Sequence, residues 1–213
     1  MTLTGQELKT LAQLLFSVVE FGEEGEFELA GGFGTTCYVD LREPGQAKVT
    51  SGMGAKLLSC LVEHLEARIP KDVRDCVLVG VPRAGNVFVR ELAKLTGMPF
   101  AILEKESDEV LEGSLRPGDR VVVVENVATT GRSLYQFILR LQRLGVSPVL
   151  VLACVDREQG QTASRLLSGN GVSVSFTAIV TLQELLEEWE RVGKITAQQR
   201  LDAVRVSPFQ SRV

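Results

Sequence analysis

The 213-residue chain holds one histidine and four cysteines, and neither residue type is spaced for metal work. His64 has no second histidine or cysteine at ligand spacing, so a solvated helix residue is the plainer reading. Cys37, Cys60, Cys76 and Cys154 are widely separated and form no Cys-x-x-Cys pair. They read as small buried hydrophobes in a reducing compartment. Lys/Arg-rich runs are also missing, and the net charge is −4, which removes a general attraction to nucleic acid and disfavours DNA binding. Apolar runs are no longer than strands, and residues 1–21 are too polar and acidic for a signal peptide or membrane span. The expectation is a cytosolic protein. Neither a Gly-Lys-Ser/Thr nor a Gly-x-Gly-x-x-Gly follows the valine-rich strand described below, which excludes Walker-type and dinucleotide-type loops there.

At 45% hydrophobic residues the chain can bury a substantial core, and it fits one domain over 1–213 without internal repeat or long linker. Leu8, Leu11, Leu14, Leu15, Val18 and Val19 fall at helical spacing over residues 6–20, and the glycines that follow bracket a short Phe27–Leu29 strand. Cys37–Arg42 reads as a further strand, and Ser51–Arg68 as an amphipathic helix that Ser51 caps. From there strands and helices alternate. The strands are Val77–Val81, Phe100–Leu103, Arg120–Glu125, Pro148–Val155 and Val172–Thr177; the helices are Asn86–Leu95 and Leu134–Leu144, with two terminal helices at Leu182–Val192 and Thr196–Val204. This order predicts an α/β fold, a parallel sheet flanked by helices, with a small N-terminal hood. The hood spans about residues 1–45 and is joined by the C-terminal helices; the core spans about 50–180.

The most informative stretch is Val121-Val122-Val123-Val124-Glu125-Asn126-Val127-Ala128-Thr129-Thr130-Gly131-Arg132-Ser133. Four successive valines cannot alternate between core and water, so both faces of the strand are covered, as in the middle of a parallel sheet. The turn after it supplies the hydroxyls of Thr129, Thr130 and Ser133, a glycine that admits close approach, and a helix N-terminus opening near Arg132. Together these make a phosphate cradle. Ligands of open α/β sheets lie outside the carboxyl ends of the strands, which draws in two more turns. Gly80-Val81-Pro82-Arg83-Ala84-Gly85-Asn86 follows one strand and Asp156-Arg157-Glu158-Gln159-Gly160 another. Read alone, the first is an ordinary strand-to-helix turn, and the second is equally a surface ion pair.

The valine-to-serine stretch resembles the phosphoribosyl-pyrophosphate motif of type I phosphoribosyltransferases: four aliphatic residues, two acids, a small or aliphatic pair, then Thr-Thr-Gly. Gly80–Asn86 resembles that family's pyrophosphate loop, and Asp156–Gly160 the Asp-Arg-x-x-Gly segment of its orotate branch. Gly25–Leu29, Tyr38–Arg42 and the last two helices resemble that branch's hood. The resemblance implies transfer of a phosphoribosyl group to orotate, giving orotidine 5′-monophosphate and pyrophosphate, with Mg²⁺ arriving on phosphoribosyl pyrophosphate and a homodimer as the assembly. It assigns Glu125, Asn126 and Lys105 to catalysis. Ala128, Thr129, Thr130, Gly131, Arg132 and Ser133 are assigned to the 5′-phosphate, Arg83 to the pyrophosphate and Arg157 to the orotate carboxylate. A guanidinium suits that last role because it grips a planar carboxylate through two parallel bonds.

Three departures stand out. The family's second acid is Asn126, an amide that carries no charge and takes up no proton at neutral pH. The hood's Lys-Ser-Gly-Arg is replaced by Ala30-Gly31-Gly32-Phe33. The mobile lid is shortened to Glu104–Gly113, with five acids against the single Lys105, a charge that opposes departing pyrophosphate. A catalytically silent homologue that binds a phosphoribosyl ligand or nucleotide is the alternative reading.

Overall fold

The computed structural model describes residues 2–23, 26–29, 33–42, 53–157, 174–205 and 207–208. Gly25, Ala30–Gly32, Ser51, Glu158–Gly160 and Val172 lie outside them, so the cap expected of Ser51 and the hood cations' replacements are not described. Among the described residues the helices are α1 (Gly5–Leu15), α2 (Ala55–Glu66), α3 (Gly85–Thr96), α4 (Arg132–Arg143), α5 (Leu182–Arg191) and α6 (Ala197–Ala203). Four short strands, β1 (Val19–Phe21), β2 (Phe27–Leu29), β3 (Phe33–Thr35) and β4 (Cys37–Val39), precede the main sheet. That sheet consists of β5 (Val77–Gly80), β6 (Phe100–Leu103), β7 (Val110–Gly113), β8 (Arg120–Ala128), β9 (Ser147–Asp156) and β10 (Ser175–Thr181). A last short strand, β11 (Ser207–Pro208), pairs with β3, which also pairs with β2.

The main sheet runs β10-β9-β8-β5-β6-β7, parallel except for β7, which lies antiparallel to β6 on the edge. The four valines of β8 sit in its middle and each is 0% exposed. Val122 and Val124 belong to the core under α2 and α3, with Leu61, Phe88 and Leu92. Val121 and Val123 belong to the core under α4, with Phe137, Ile138 and Leu141. The continuous apolar run therefore feeds both faces, as a strand covered on two sides must. The expected α/β fold with helices on both faces is what the structure has.

Boundaries shift where tertiary pairing overrides local pattern. The first helix stops at Leu15 rather than running to residue 20, because Val19 and Phe21 pair across to Val39 and Cys37 as β1 and β4; β-branched valines fit that pleated, half-buried position. Its start is held by Thr4, whose Oγ1 accepts from the Glu7 amide at 3.3 Å while the Glu7 carboxylate accepts from Thr4 N–H at 2.7 Å. Helix α2 is shorter than its expected span, starting after Gly54 with no side-chain cap. Strand β8 runs three residues past Glu125, to Ala128, and β10 is displaced towards the C-terminus of its expected span. Four of the ten residues of the expected lid form a strand: Val110–Gly113 is β7, each residue of it exposed.

The chain order places β6 on one side of β5 and β8 on the other. Connections diverge between β5 and β8, and the crevice belongs there. A close backbone approach sets its floor: Val81 N–H donates to Val124 O at 2.9 Å, and a Cβ on Gly85 would stand 2.3 Å from Val124 O. Gly85→Ala should therefore lower the unfolding free energy by ~1–3 kcal/mol, the usual cost of overpacking. Urea unfolding checks this, and an unchanged midpoint would mean that the approach is not a constraint.

Candidate functional site

Strand β8 ends at Ala128, and Gly131 caps α4 with φ 73°, a left-handed conformation that a β-branched residue adopts only with strain. The Gly131 carbonyl accepts from Tyr135 N–H at 2.8 Å and starts the helix. Its first-turn N–H groups point out of the turn and carry the positive end of a 12-residue helix. A cavity of about 230 Å³ opens here. Glu125, Asn126, Ala128, Thr129, Gly131, Ser133 and Arg157 all line it, with Val81, Pro82 and Ala84 of the neighbouring loop. Thr130 and Arg132 stand beside the turn, joined by an Arg132 N–H to Thr130 Oγ1 bond at 3.4 Å, and do not line it.

Arg83 and Lys105 lie elsewhere. They line a second cavity, also about 230 Å³, with Asn86, Arg90, Glu104 and Leu111. Pro82 borders both cavities, and its peptide bond to Arg83 is cis. Lys105 Nζ pairs with Glu106 Oε1 at 3.2 Å. The segment around it is gripped by Arg140 of α4, whose guanidinium donates to Asp108 Oδ1 at 2.8 Å, to Lys105 O at 3.2 Å and to Ser107 O. The acidic stretch thus packs back on α4 instead of over the first cavity.

Glu125 is 8% exposed, and its Oε1 accepts only a 2.9 Å bond from Asn126 N–H among the bonds described. Burial raises its carboxyl to about 8, and that backbone bond opposes the rise. The group therefore holds a proton through neutral pH. Asn126 Oδ1 accepts from Val127 N–H at 2.7 Å, which leaves the amide NH₂ as its outward group. Neither member of the pair behaves as a ready anion.

Arg157 is buried at 5% exposure. Its guanidinium donates to Cys37 O at 2.7 Å, Thr35 Oγ1 at 2.6 Å and Ala203 O at 3.4 Å. It reaches the cavity wall while tying β9 to β3, β4 and the end of α6. With three bonds engaged, only part of its five-donor fork remains for a ligand. Glu28, Tyr38 and Arg42 of the covering strands also line the cavity, and none of them stands out as a site residue in the sequence. Arg42 chelates buried Asp40 through two 2.8 Å bonds and lies 5.3 Å from the Tyr38 ring centroid. The i, i+2, i+4 spacing of Tyr38, Asp40 and Arg42 within the expected Cys37–Arg42 strand was the available signal, although β4 ends at Val39.

No family model matches the chain. It is 33% identical over 168 residues to an orotate phosphoribosyltransferase of Halobacterium salinarum, covering 76% of this chain and 88% of the relative. The chain belongs to the orotate phosphoribosyltransferase family. Among solved structures, that of orotate phosphoribosyltransferase from Aeropyrum pernix matches with a TM-score of 0.65 at 29% identity, covering 84% of this chain and 98% of that one. Leishmania donovani UMP synthase matches at a TM-score of 0.74 and 26% identity, over 92% of this chain and 41% of that longer one. The cysteines fit the expected packing role: Cys37, Cys76 and Cys154 are buried and all four are free. Burial pushes the Cys37 thiol up to about 11. Among the described residues no helix is long and apolar enough to cross a membrane.

The raised Glu125 carboxyl has a signed consequence. Between about 4.5 and about 8 the unfolded chain loses this proton and the folded chain keeps it, so stability falls as pH rises through that window. Glu125→Gln removes the effect. The Gln protein should gain on the original by ~2–4 kcal/mol between pH 5 and pH 8, at ~1.4 kcal/mol for each tenfold change in proton affinity. Urea unfolding at the two pH values reads this; parallel changes in both proteins would mean that Glu125 ionises freely.

Proposed function

We propose that the protein transfers the 5-phosphoribosyl group of phosphoribosyl pyrophosphate to orotate, forming orotidine 5′-monophosphate and releasing pyrophosphate. One observation carries the reading: the Thr129–Ser133 turn opens into the same cavity as Glu125, Asn126 and Arg157. Its family relatives, similar over most of their length, support the same activity.

In this reading the 5′-phosphate sits on the first-turn amides of α4 and the hydroxyls of Thr129 and Ser133, with Ala128, Thr130, Gly131 and Arg132 shaping the turn. Glu125 and Asn126 hold the ribose hydroxyls. The orotate ring nitrogen attacks the anomeric carbon as that carbon's bond to pyrophosphate breaks, and the nitrogen's proton is taken up by the departing pyrophosphate. Arg83 and Lys105, across the Pro82 ridge, receive the departing charge, and the unspent edge of Arg157 faces the base carboxylate. Assembly as a homodimer belongs to the reading. The β7 edge, which has no further strand beside it among the described residues and leaves Val110 36% and Leu111 58% exposed, is a surface such an assembly would cover.

The donor set does not fit Mg²⁺ held by the protein. Mg²⁺ is usually bound through one or two carboxylates together with substrate phosphates, and keeps several waters. Among the described residues the cavity offers the buried Glu125 carboxyl, raised to about 8, the Glu28 carboxylate and an Asn126 oxygen with one lone pair already accepting from Val127 N–H, too few donors for a cage built by the protein alone.

A pyrophosphate-release assay with orotate and phosphoribosyl pyrophosphate tests the function. Turnover should be measurable but slow. Asn126→Asp, restoring the second acid, should raise it by ~10–10², up to the lower end of what a positioned acid–base group contributes. Orotate-independent release, or none from either protein, would contradict the reading.

A further inference from the structure

The family's acid pair is reduced here to one carboxyl, and geometry turns its neighbour into a donor. Asn126 Oδ1 is held by Val127 N–H at 2.7 Å, so the amide presents N–H groups where a second carboxylate would present lone pairs. Glu125 accepts the Asn126 amide at 2.9 Å and is almost closed from solvent.

The other charged groups around the two cavities point the same way. The first is bordered by Glu28 at its rim, by Arg42 spent on Asp40, and by Arg157 spent on Cys37, Thr35 and Ala203. The second is lined by Arg83, Arg90, Lys105 and Glu104, with Arg90 paired to Glu112 at 2.8 Å and Lys105 to Glu106 at 3.2 Å. Among the described residues no group of three His, Cys, Asp or Glu is placed to hold a metal ion. An anionic ligand meets helix amides and the Asn126 NH₂ in the first cavity and Arg83 in the second, whereas a hydrated dication meets the buried Glu125 carboxyl, the Glu28 carboxylate and a Glu104 carboxylate already accepting from the Glu106 and Ser107 N–H groups. Coulomb attraction favours the bare anion.

We infer that this site binds its phosphoribosyl ligand as the metal-free anion, Asn126 and the α4 turn meeting oxygens that a divalent cation would otherwise draw to itself. The inference rests on the phosphoribosyl reading of the cavity.

Isothermal titration of the full chain with phosphoribosyl pyrophosphate and with ribose 5-phosphate, in saturating Mg²⁺ and in excess EDTA, tests it. The original protein should bind with a Kd that differs less than ~3-fold between the two conditions, under 1 kcal/mol on the affinity scale. Asn126→Asp should instead gain ~10-fold or more from Mg²⁺, as a second charge does for a nearby cation. A tenfold or greater loss of affinity in EDTA for the original protein overturns the inference and leaves the phosphoribosyl reading standing. An equal metal response in both proteins overturns the part assigned to Asn126. Binding of neither ligand in either condition overturns the inference together with that reading.

Discussion

The middle of the sheet is held together by one close approach: Val81 N–H reaches Val124 O, and the Cβ-less Gly85 passes over the same carbonyl. That contact fixes the start of α3 against the carboxyl half of β8. The Pro82–Arg83 loop and the Thr129–Ser133 turn consequently leave neighbouring strand ends side by side. The burial of Val121–Val124 on both faces locks β8 in register with β5 and β9. With ~25 cal/mol per Å² of apolar surface behind each valine, the turn follows a strand anchored on both faces. Binding groups gain most from such preorganisation.

The chemistry around that frame is less charged than the family's motif. Burial keeps Glu125 protonated through neutral pH, Asn126 is uncharged, and the acidic lid segment packs on Arg140 of α4. The cations that remain, Arg83 and Lys105, gather in a separate cavity across Pro82. In the proposed function the phosphate turn is kept while fewer charged groups serve catalysis. Proton transfer is worth ~10²–10⁴ in rate and charge stabilisation ~10²–10³, so that proposal expects slower turnover than from a site with the full set.

Much of this was legible in the chain. The four valines announced a doubly covered strand, and the order of strands and helices announced the sheet. Thr129–Ser133 announced a turn at its carboxyl end. What escaped were features decided by partners distant in sequence. Val18 and Val19 continue a helical pattern, yet the pairing of Val19 with Val39 makes a strand. Val110–Gly113 reads as loop because its four residues have no alternation, and only β6 beside it gives them a ladder. Arg157 lies in a ligand-gripping motif, but its contacts are 120 and 122 residues upstream, at Cys37 and Thr35. No local pattern reveals that a guanidinium is already engaged. Tyr38 and Arg42 enter the cavity wall for the same reason, through packing of the covering strands.

The central claim is that phosphate is held by the turn after β8. Amide chemical-shift mapping with ribose 5-phosphate tests it most directly. The largest saturable shifts should fall at Thr129–Ser133, with smaller ones at Glu125 and Asn126, and little change along β7. Saturable shifts concentrated at Arg83, Arg90 and Lys105, with the Thr129–Ser133 amides unmoved, would contradict it.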